Sequence, residues 1–456
     1  MAGADDFSPL IESRADMIHA LERGAKPASA WTIGTEHEKH VFHTDPIRPV
    51  TYEGPQGIRA LLDGIERKTG WHPFYDGENP IGLRNDTRAG GISLEPGGQF
   101  ELSGAPQPDL HAAAAETAEH MAVCHEIGGP LDIHFLGLGT TPLWSVDEIP
   151  AMPKSRYGIM KPYMGKVGTL GTSMMFRSAT VQTNLDFSSE ADMIKKLRVS
   201  VALQPLATAL FANSPFIDGK PSGYLSFRSH IWLNTDKART GMLPEMFEQG
   251  AGFERYVDHA LDVPMYFVIR DSKYVNVAGE SFKAFLDGKL PQLPGEKPTV
   301  KDWEDHLSTL FPEVRLKQFL EMRGADMGDE ASVTALPAFW VGLLYDSAAL
   351  DAAWDLVKTW TAEERQAQRD AVPRTALATP FRNGTLYDVA REALAIATAG
   401  LTNRDIRDAS GRNEVLHLAP LEQTIRLRKT PAERWLDLYN GEWQGDLSRI
   451  FDAAEI

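Results

Sequence analysis

Short runs rich in Val, Ile, Thr and aromatic residues, with polar residues interleaved, recur through the first two thirds of the chain. They predict strands: WTIGTEHEKHVF, GISLEPGGQFELSG, HFLGLGTT, SATVQTNLDF, GYLSFRSHIWLN, MYFVIR and LKQFLEMRGAD. Ser189 and Asp192 open a helix between two of them that Pro205 is expected to kink. Beyond about residue 330 the apolar spacing turns helical. Thr361 with Glu364 and Thr430 with Glu433 pair a capping hydroxyl with an acid at the third helical position, and TLYDVAREALAIATAG reads as a helix closing on Gly400. The strands are spaced too irregularly, with too few amphipathic helices between them, for a doubly wound parallel sheet. The pattern predicts an α+β fold: an antiparallel sheet flanked by helices over residues 1–330, and a helical part over residues 331–456 packed on the same unit.

If GTEHEKHVF is extended, Glu36 and Glu38 share one face and His37 takes the other. Carboxylates placed side by side on a strand are either solvated or bridged by a cation. His37 and His40 lack the four-residue spacing that puts two imidazoles on one helix face, which excludes a zinc helix there. In GQFELS the polar Gln99, Glu101 and Ser103 alternate with Phe100 and Leu102. Gly97 and Gly98 permit a tight turn that brings Glu95 near the following strand; which of Glu95 and Glu101 faces the Glu36/Glu38 pair stays open. Glu321 and Arg323 share a face in FLEMRGAD, as a simple ion pair or as an acid and guanidinium gripping a metal-bound phosphate. Lys154, Arg156, Lys161, Arg177, Gln182, Asn184, Arg228 and His230 lie between the acidic strands, either as anchors for anionic substrate groups or as surface charge.

Neither GxxxxGK[ST] nor GxGxxG occurs, so a bound nucleotide would be held by metals and a sheet rather than by a phosphate loop.

The 456 residues carry 46 Lys plus Arg against 63 Asp plus Glu, a formal charge of -17 that repels a nucleic-acid backbone. The single cysteine, Cys124, excludes an intramolecular disulfide and a cysteine-cluster zinc site. Its setting in HAAAAETAEHMAVCHEIG predicts a buried thiol rather than a nucleophile. The N-terminal stretch has acids and no apolar leader, and the longest apolar run, ALPAFWVGLLY, is too short to cross a membrane. These features together predict a soluble, cytoplasmic protein.

GTEHEK, SLEPGGQFELSGAP, MPKSRYGIMKPYM, TVQTNLDF, YLSFRSHIW and EMRGAD, in that order over residues 31–328, resemble the plant-type branch of glutamate-cysteine ligase, a branch shared with many proteobacterial enzymes. The resemblance implies a glutamine synthetase-like fold, a curved antiparallel sheet forming a funnel for Mg2+, ATP and glutamate. It also implies a reaction in which ATP phosphorylates the glutamate γ-carboxylate and the amino group of cysteine then attacks, giving γ-glutamylcysteine, ADP and phosphate. Two anions must meet in that reaction, and divalent cations with fixed positive groups suppress their repulsion. By resemblance, Glu36, Glu38, Glu101 and Glu321, with Glu95 and Gln182, are the expected Mg2+ ligands. Arg323 is expected to clamp the transferring phosphoryl group, with Arg228 beside it in the catalytic set. Arg156 and Arg228 are expected on glutamate carboxylate or phosphate oxygens, with Lys154, Tyr163 and Arg177 as further substrate contacts. The implied partners are the small molecules glutamate, cysteine and ATP, with no nucleic acid and no membrane, on a monomer or homodimer. Plant members switch activity through paired cysteines; with Cys124 alone, that internal disulfide is expected to be absent. Two other functions suit the same residues: a γ-glutamyl ligase of this fold using another amine, and a non-catalytic metal- or amino-acid-binding protein.

Overall fold

The computed structural model describes residues 8–456; residues 1–7, the start of the stretch read above as lacking an apolar leader, lie outside the described residues. Its centre is a ten-stranded sheet. The strands are β1 (Ile33–Thr44), β2 (Ile47–Pro49), β3 (His72–Asp76), β4 (Asn79–Arg84), β5 (Gly91–Leu94), β6 (Phe100–Ser103), β7 (His134–Leu136), β8 (Thr180–Leu185), β9 (Val314–Leu316) and β10 (Leu320–Asp326). They run in the order β9-β10-β8-β1-β6-β5-β4-β3, with β2 and β7 paired to the far end of β1. All these pairings are antiparallel. The α+β expectation is met. At twelve residues β1 is long enough to pair with β8 and β6 at one end and with β2 and β7 at the other, which makes it the spine of the sheet.

The helices that matter for the site are α1 (Ile58–Thr69), α2 (Leu110–Gly128), α3 (Ser155–Val167), α4 (Gly171–Arg177), α5 (Glu190–Leu210), α6 (Phe227–Leu233), α7 (Glu330–Leu344), α8 (Ala362–Thr375) and α9 (Leu386–Arg404). The expected caps are in place. The Ser189 hydroxyl accepts from the Asp192 N–H at 3.2 Å, and Thr361 and Glu364 exchange reciprocal bonds at 3.1 and 2.9 Å. Pro205 lies inside α5, which continues past it to Leu210.

Two elements depart from the reading of the sequence. GYLSFRSHIWLN is not a strand: its centre is α6, opened by Ser226, whose hydroxyl accepts from the Ser229 N–H at 3.0 Å. The alternation there resembles a strand, but Ile231 is the only β-branched residue within α6, and the capping serine decides the outcome. Nor does Gly400 end a helix, since α9 continues to Arg404. The glycine is there for a close crossing: a Cβ on Gly400 would sit 1.9 Å from the Gly342 carbonyl oxygen of α7, and one on Gly342 would sit 2.4 Å from that of Ala397. Gly400→Ala is therefore expected to cost about 1–3 kcal/mol by forcing the helices apart. Gly158→Ala in α3, where a Cβ meets nothing within 4 Å, is expected to be neutral or slightly stabilising. Urea unfolding of the two variants checks the contrast.

The larger apolar cluster joins the outer face of β8 and β10 to α5, α7 and α9, and includes Leu206 and Met322 as well as Leu343 and Leu401. Residues from before and after position 330 thus share one core. A second cluster lies under β1, β5 and β6 and includes Leu62, Phe100, Cys124 and Phe451. Cys124 is fully buried, and burial pushes its thiol up to about 12, consistent with an inert core residue. No single described helix is long and apolar enough to cross a membrane.

Candidate active site

Strand register decides which side chains meet. Glu38 lies opposite Glu101, Glu36 opposite Gln182, and Asn184 opposite Glu321, while Arg315 on β9 faces Glu321 in turn. These residues share one face, and His37 and Lys39 occupy the other with Leu102 and Phe100. The polar face forms the floor of a cavity of about 260 Å3. Glu36, Glu38, Glu95, Glu101 and Gln182 all line it, facing the guanidinium groups of Arg156, Arg228, Arg315 and Arg323.

The register answers the question left open by the sequence: Glu101 faces Glu38. Glu95 sits in the turn before β6, which closes with a Gly98 N–H to Glu95 carbonyl bond of 2.9 Å and a Gly98 φ of 83°. From there its carboxylate reaches within 3.6 Å of Arg156. Gln99 ties this turn to α4 by donating to the Ser178 carbonyl at 2.8 Å.

The carboxylates are crowded and dry. Burial, then the charges of Glu101 and Glu95, push Glu38 well above the usual carboxylate range. Burial and Glu321 raise Glu36; burial and Glu95 raise Glu101. Local donors offset part of this. Asn184 donates to Glu36 at 2.7 Å, Ser93 to Glu101 at 2.7 Å, and the Thr180 N–H to Glu38 at 3.1 Å. Gln182 donates its amide nitrogen to Glu36 at 3.3 Å, yet its carbonyl oxygen is buried without a partner among the described residues. A bare amide oxygen beside three proton-hungry carboxylates is the donor set of a hard divalent cation, and these residues fit Mg2+.

Glu321 differs from the other acids. It is fully buried, does not line the cavity, and its carboxylate is bound by Arg315 at 2.6 Å, Lys317 at 3.1 Å and Arg323 at 2.7 Å. Burial alone would raise it, but Arg315, Lys317 and Arg323 together hold it well below the usual range. Arg323 projects from β10 where the β8 register shifts between Met322 and Ala325, an irregularity that re-aims the side chain. Arg228, on α6, is 3% exposed and donates to the Arg323 carbonyl at 3.0 Å.

Three expected substrate contacts lie outside the cavity wall. Tyr163, two turns along α3 from Arg156, packs edge-on against Tyr266, with ring centroids 5.3 Å apart. Lys154, at the N-cap of α3, is buried beside Tyr157, and burial and Arg156 push it down to about 8. Arg177, at the end of α4, is paired with Asp218 at 2.7 Å. Conversely, Arg315, Trp232 and Phe311 line the cavity and were not singled out from the sequence. The Arg315–Glu321 match follows only from the β9–β10 hairpin register, and the two aromatics carry no signal separating them from core residues.

The family model described as Glutamate-cysteine ligase family 2 (GCS2) matches residues 32–453. The chain is 52% identical over 440 residues to a chloroplastic glutamate–cysteine ligase of Medicago truncatula, covering 96% of this chain and 84% of the relative. It is also 52% identical to that of Arabidopsis thaliana, over 96% of this chain and 82% of the relative. A crystal structure of glutamate–cysteine ligase from Francisella tularensis in complex with AMP superposes with a TM-score of 0.56 at 12% identity, over 93% of this chain and 88% of that one; it supports the fold. The cytoplasmic expectation is overturned by this comparison, because these plant relatives are named chloroplastic. A lone cysteine and an acidic composition do not distinguish one reducing compartment from another. The match spans nearly the whole chain and takes in every strand of the carboxylate wall: the chain belongs to the glutamate-cysteine ligase family.

Proposed function

We propose that the carboxylate wall of this cavity holds Mg2+ against ATP while the opposing guanidinium groups hold the anions that react. The chain thereby joins the γ-carboxylate of glutamate to the amino group of cysteine, the first step of glutathione synthesis. The observation that carries this reading is the unpartnered Gln182 carbonyl oxygen among Glu36, Glu38 and Glu101, opposite Arg228 and Arg323.

Glu36, Glu38, Glu101 and Gln182 are the central ligands, with Glu95 at the rim. Glu321 orients Arg323 and adds its charge to the ion set next to Glu36. When bound, Mg2+ neutralises phosphate charge and orients the nucleotide. In the first step a γ-carboxylate oxygen attacks the terminal phosphorus, and the bond to the ADP oxygen breaks. Arg323 takes the charge spread over the transferring phosphoryl oxygens, and Arg228 takes neighbouring oxygens from the same side. Arg156, across the cavity, anchors the substrate carboxylate. The cysteine amino nitrogen then forms a bond to the acyl carbon, phosphate leaves with the acyl oxygen, and the nitrogen gives up a proton. No protein nucleophile takes part. The direct test is mass spectrometry for γ-glutamylcysteine after incubation with ATP, Mg2+, glutamate and cysteine. Phosphate release that favours a different amine would replace cysteine in this reading.

The raised carboxylates set a pH dependence. A group whose folded pKa lies above its unfolded value of 4.5 stabilises fully below that value and loses this contribution as pH rises through the folded pKa. The metal-free protein should therefore lose stability with rising pH, and Mg2+, which displaces the protons, should restore it. The Mg2+-induced rise in Tm is expected to be larger at pH 8 than at pH 6. A rise independent of pH would count against the assignment. For the same reason Glu38→Gln should melt higher than wild type at pH 8 without metal, while turnover falls by roughly 100-fold or more as a ligand is lost. Thermal melts and product formation measured on one preparation read both effects.

A further inference from the structure

The helical part reaches the active site through one element. α8 packs beside α5 and α6, and near its C-terminal end two contacts lead to the two guanidinium groups assigned to the reacting anions. The first runs through α6. The Pro373 carbonyl is among the last of α8, where helix carbonyls lack intrahelical donors, and it accepts from the N–H groups of Leu225 and Ser226 at 2.8 and 3.0 Å. Ser226 is the residue that opens α6 and so sets the position of Arg228. Arg374 adds to this contact by donating to the Tyr224 hydroxyl at 2.6 Å.

The second runs through Glu313. Arg369, one turn before Pro373 and 5% exposed, pairs with the Glu313 carboxylate at 2.5 Å. The Glu313 carbonyl accepts the Arg323 N–H at 3.2 Å, and the Arg323 carbonyl accepts from Arg228 at 3.0 Å. Glu313, Arg228 and Arg323 also line a small cavity adjoining the main one. Among the described residues the Arg369 Nε and Nη1 are buried without hydrogen-bond partners, which leaves Glu313 as the partner this guanidinium is placed to hold. A buried arginine with one carboxylate partner is costly as a stabiliser, which asks for another reason for its presence.

We propose that Arg369 is a positioning residue for Arg228 and Arg323, acting through Glu313, and that α8 is the clamp that holds both at the distance phosphoryl transfer needs. The inference rests on the roles assigned to Arg228 and Arg323 above. Displacement of a catalytic group by about 1 Å costs on the order of 100-fold in rate, so Arg369→Met is expected to lower kcat roughly 10- to 100-fold. KM for glutamate and the Mg2+-induced rise in Tm should stay near wild type, because the metal wall is untouched. Arg369→Lys, which keeps the charge, should recover most of the loss. If the pair acts as a unit, Arg369→Met combined with Glu313→Gln should be no slower than Arg369→Met alone.

Steady-state kinetics and thermal melts of these variants alongside Arg323→Ala decide the matter. Normal kcat in Arg369→Met, or a loss in Arg369→Lys as deep as in Arg369→Met, overturns the inference. Should Arg369→Met fail to fold, Glu313→Gln carries the test, and an unchanged kcat there overturns it equally. An inactive Arg323→Ala beside an unaffected Arg369→Met sinks this inference alone. An active Arg323→Ala sinks the reading beneath it.

Discussion

Glu321→Gln is expected to destabilise the protein by about 3–5 kcal/mol at neutral pH, the cost of leaving buried cations without their counter-charge. Arg315, Lys317 and Arg323 all bind this one carboxylate, and the other groups Arg315 donates to, the Ser308 and Leu310 carbonyls, carry no charge to replace it. The sign with pH is opposite to that of the metal wall. Glu321 is held well below 4.5, so its contribution is present above that value and is lost as pH falls through the folded pKa. The gap between variant and wild type should therefore narrow in acid. Urea unfolding at pH 7 and near pH 4 reads this directly, and equal stability at pH 7 would show that the ion cluster does not hold β9 and β10 together. Two glutamates on one sheet face are thus expected to behave oppositely when neutralised, Glu38 stabilising and Glu321 destabilising, because one faces carboxylates and the other faces guanidinium groups.

Arg323→Ala is expected to lower turnover by about 1000-fold, the lower end of what a phosphoryl-clamping arginine supplies, or roughly 4 kcal/mol of barrier. Stability should fall far less, since Glu321 keeps Arg315 and Lys317 as partners. Arg323→Lys should not restore wild-type rate: an ammonium keeps the charge but not the planar fork, and its reach over Trp232 and Phe311 differs. Single-turnover phosphate release with saturating glutamate and ATP measures the chemical step. Retention of more than a tenth of wild-type rate in Arg323→Ala would remove Arg323 from the transition state.

Both predictions depend on geometry that sequence patterns carry unevenly. Alternation in GTEHEKHVF was enough to put Glu36 and Glu38 on one face, because a strand has a period of two whatever it pairs with. The same rule separated Glu101 from Phe100 and Leu102. It could not choose between Glu95 and Glu101, since that choice is a matter of register between β1 and β6, and register depends on residues far apart in the chain. Tyr163, Lys154 and Arg177 were expected with Arg156 from the resemblance, but Tyr163 packs on Tyr266, Lys154 is buried beside Tyr157 and Arg177 pairs with Asp218, and only Arg156 of these lines the cavity.

Local order was therefore readable from one segment at a time: the strands of the carboxylate wall, the helix caps at Ser189, Thr361 and Thr430, and the burial of Cys124 follow from periodicity and capping chemistry that act over a few residues. The folded protein alone could supply the rest. That Glu38 meets Glu101, that Glu36 meets Gln182, that Gly400 lets α9 touch α7, and that α8 reaches Glu313 are outcomes of packing between segments far apart in the chain. Such contacts form only when the whole core closes, and no short window of sequence contains both partners.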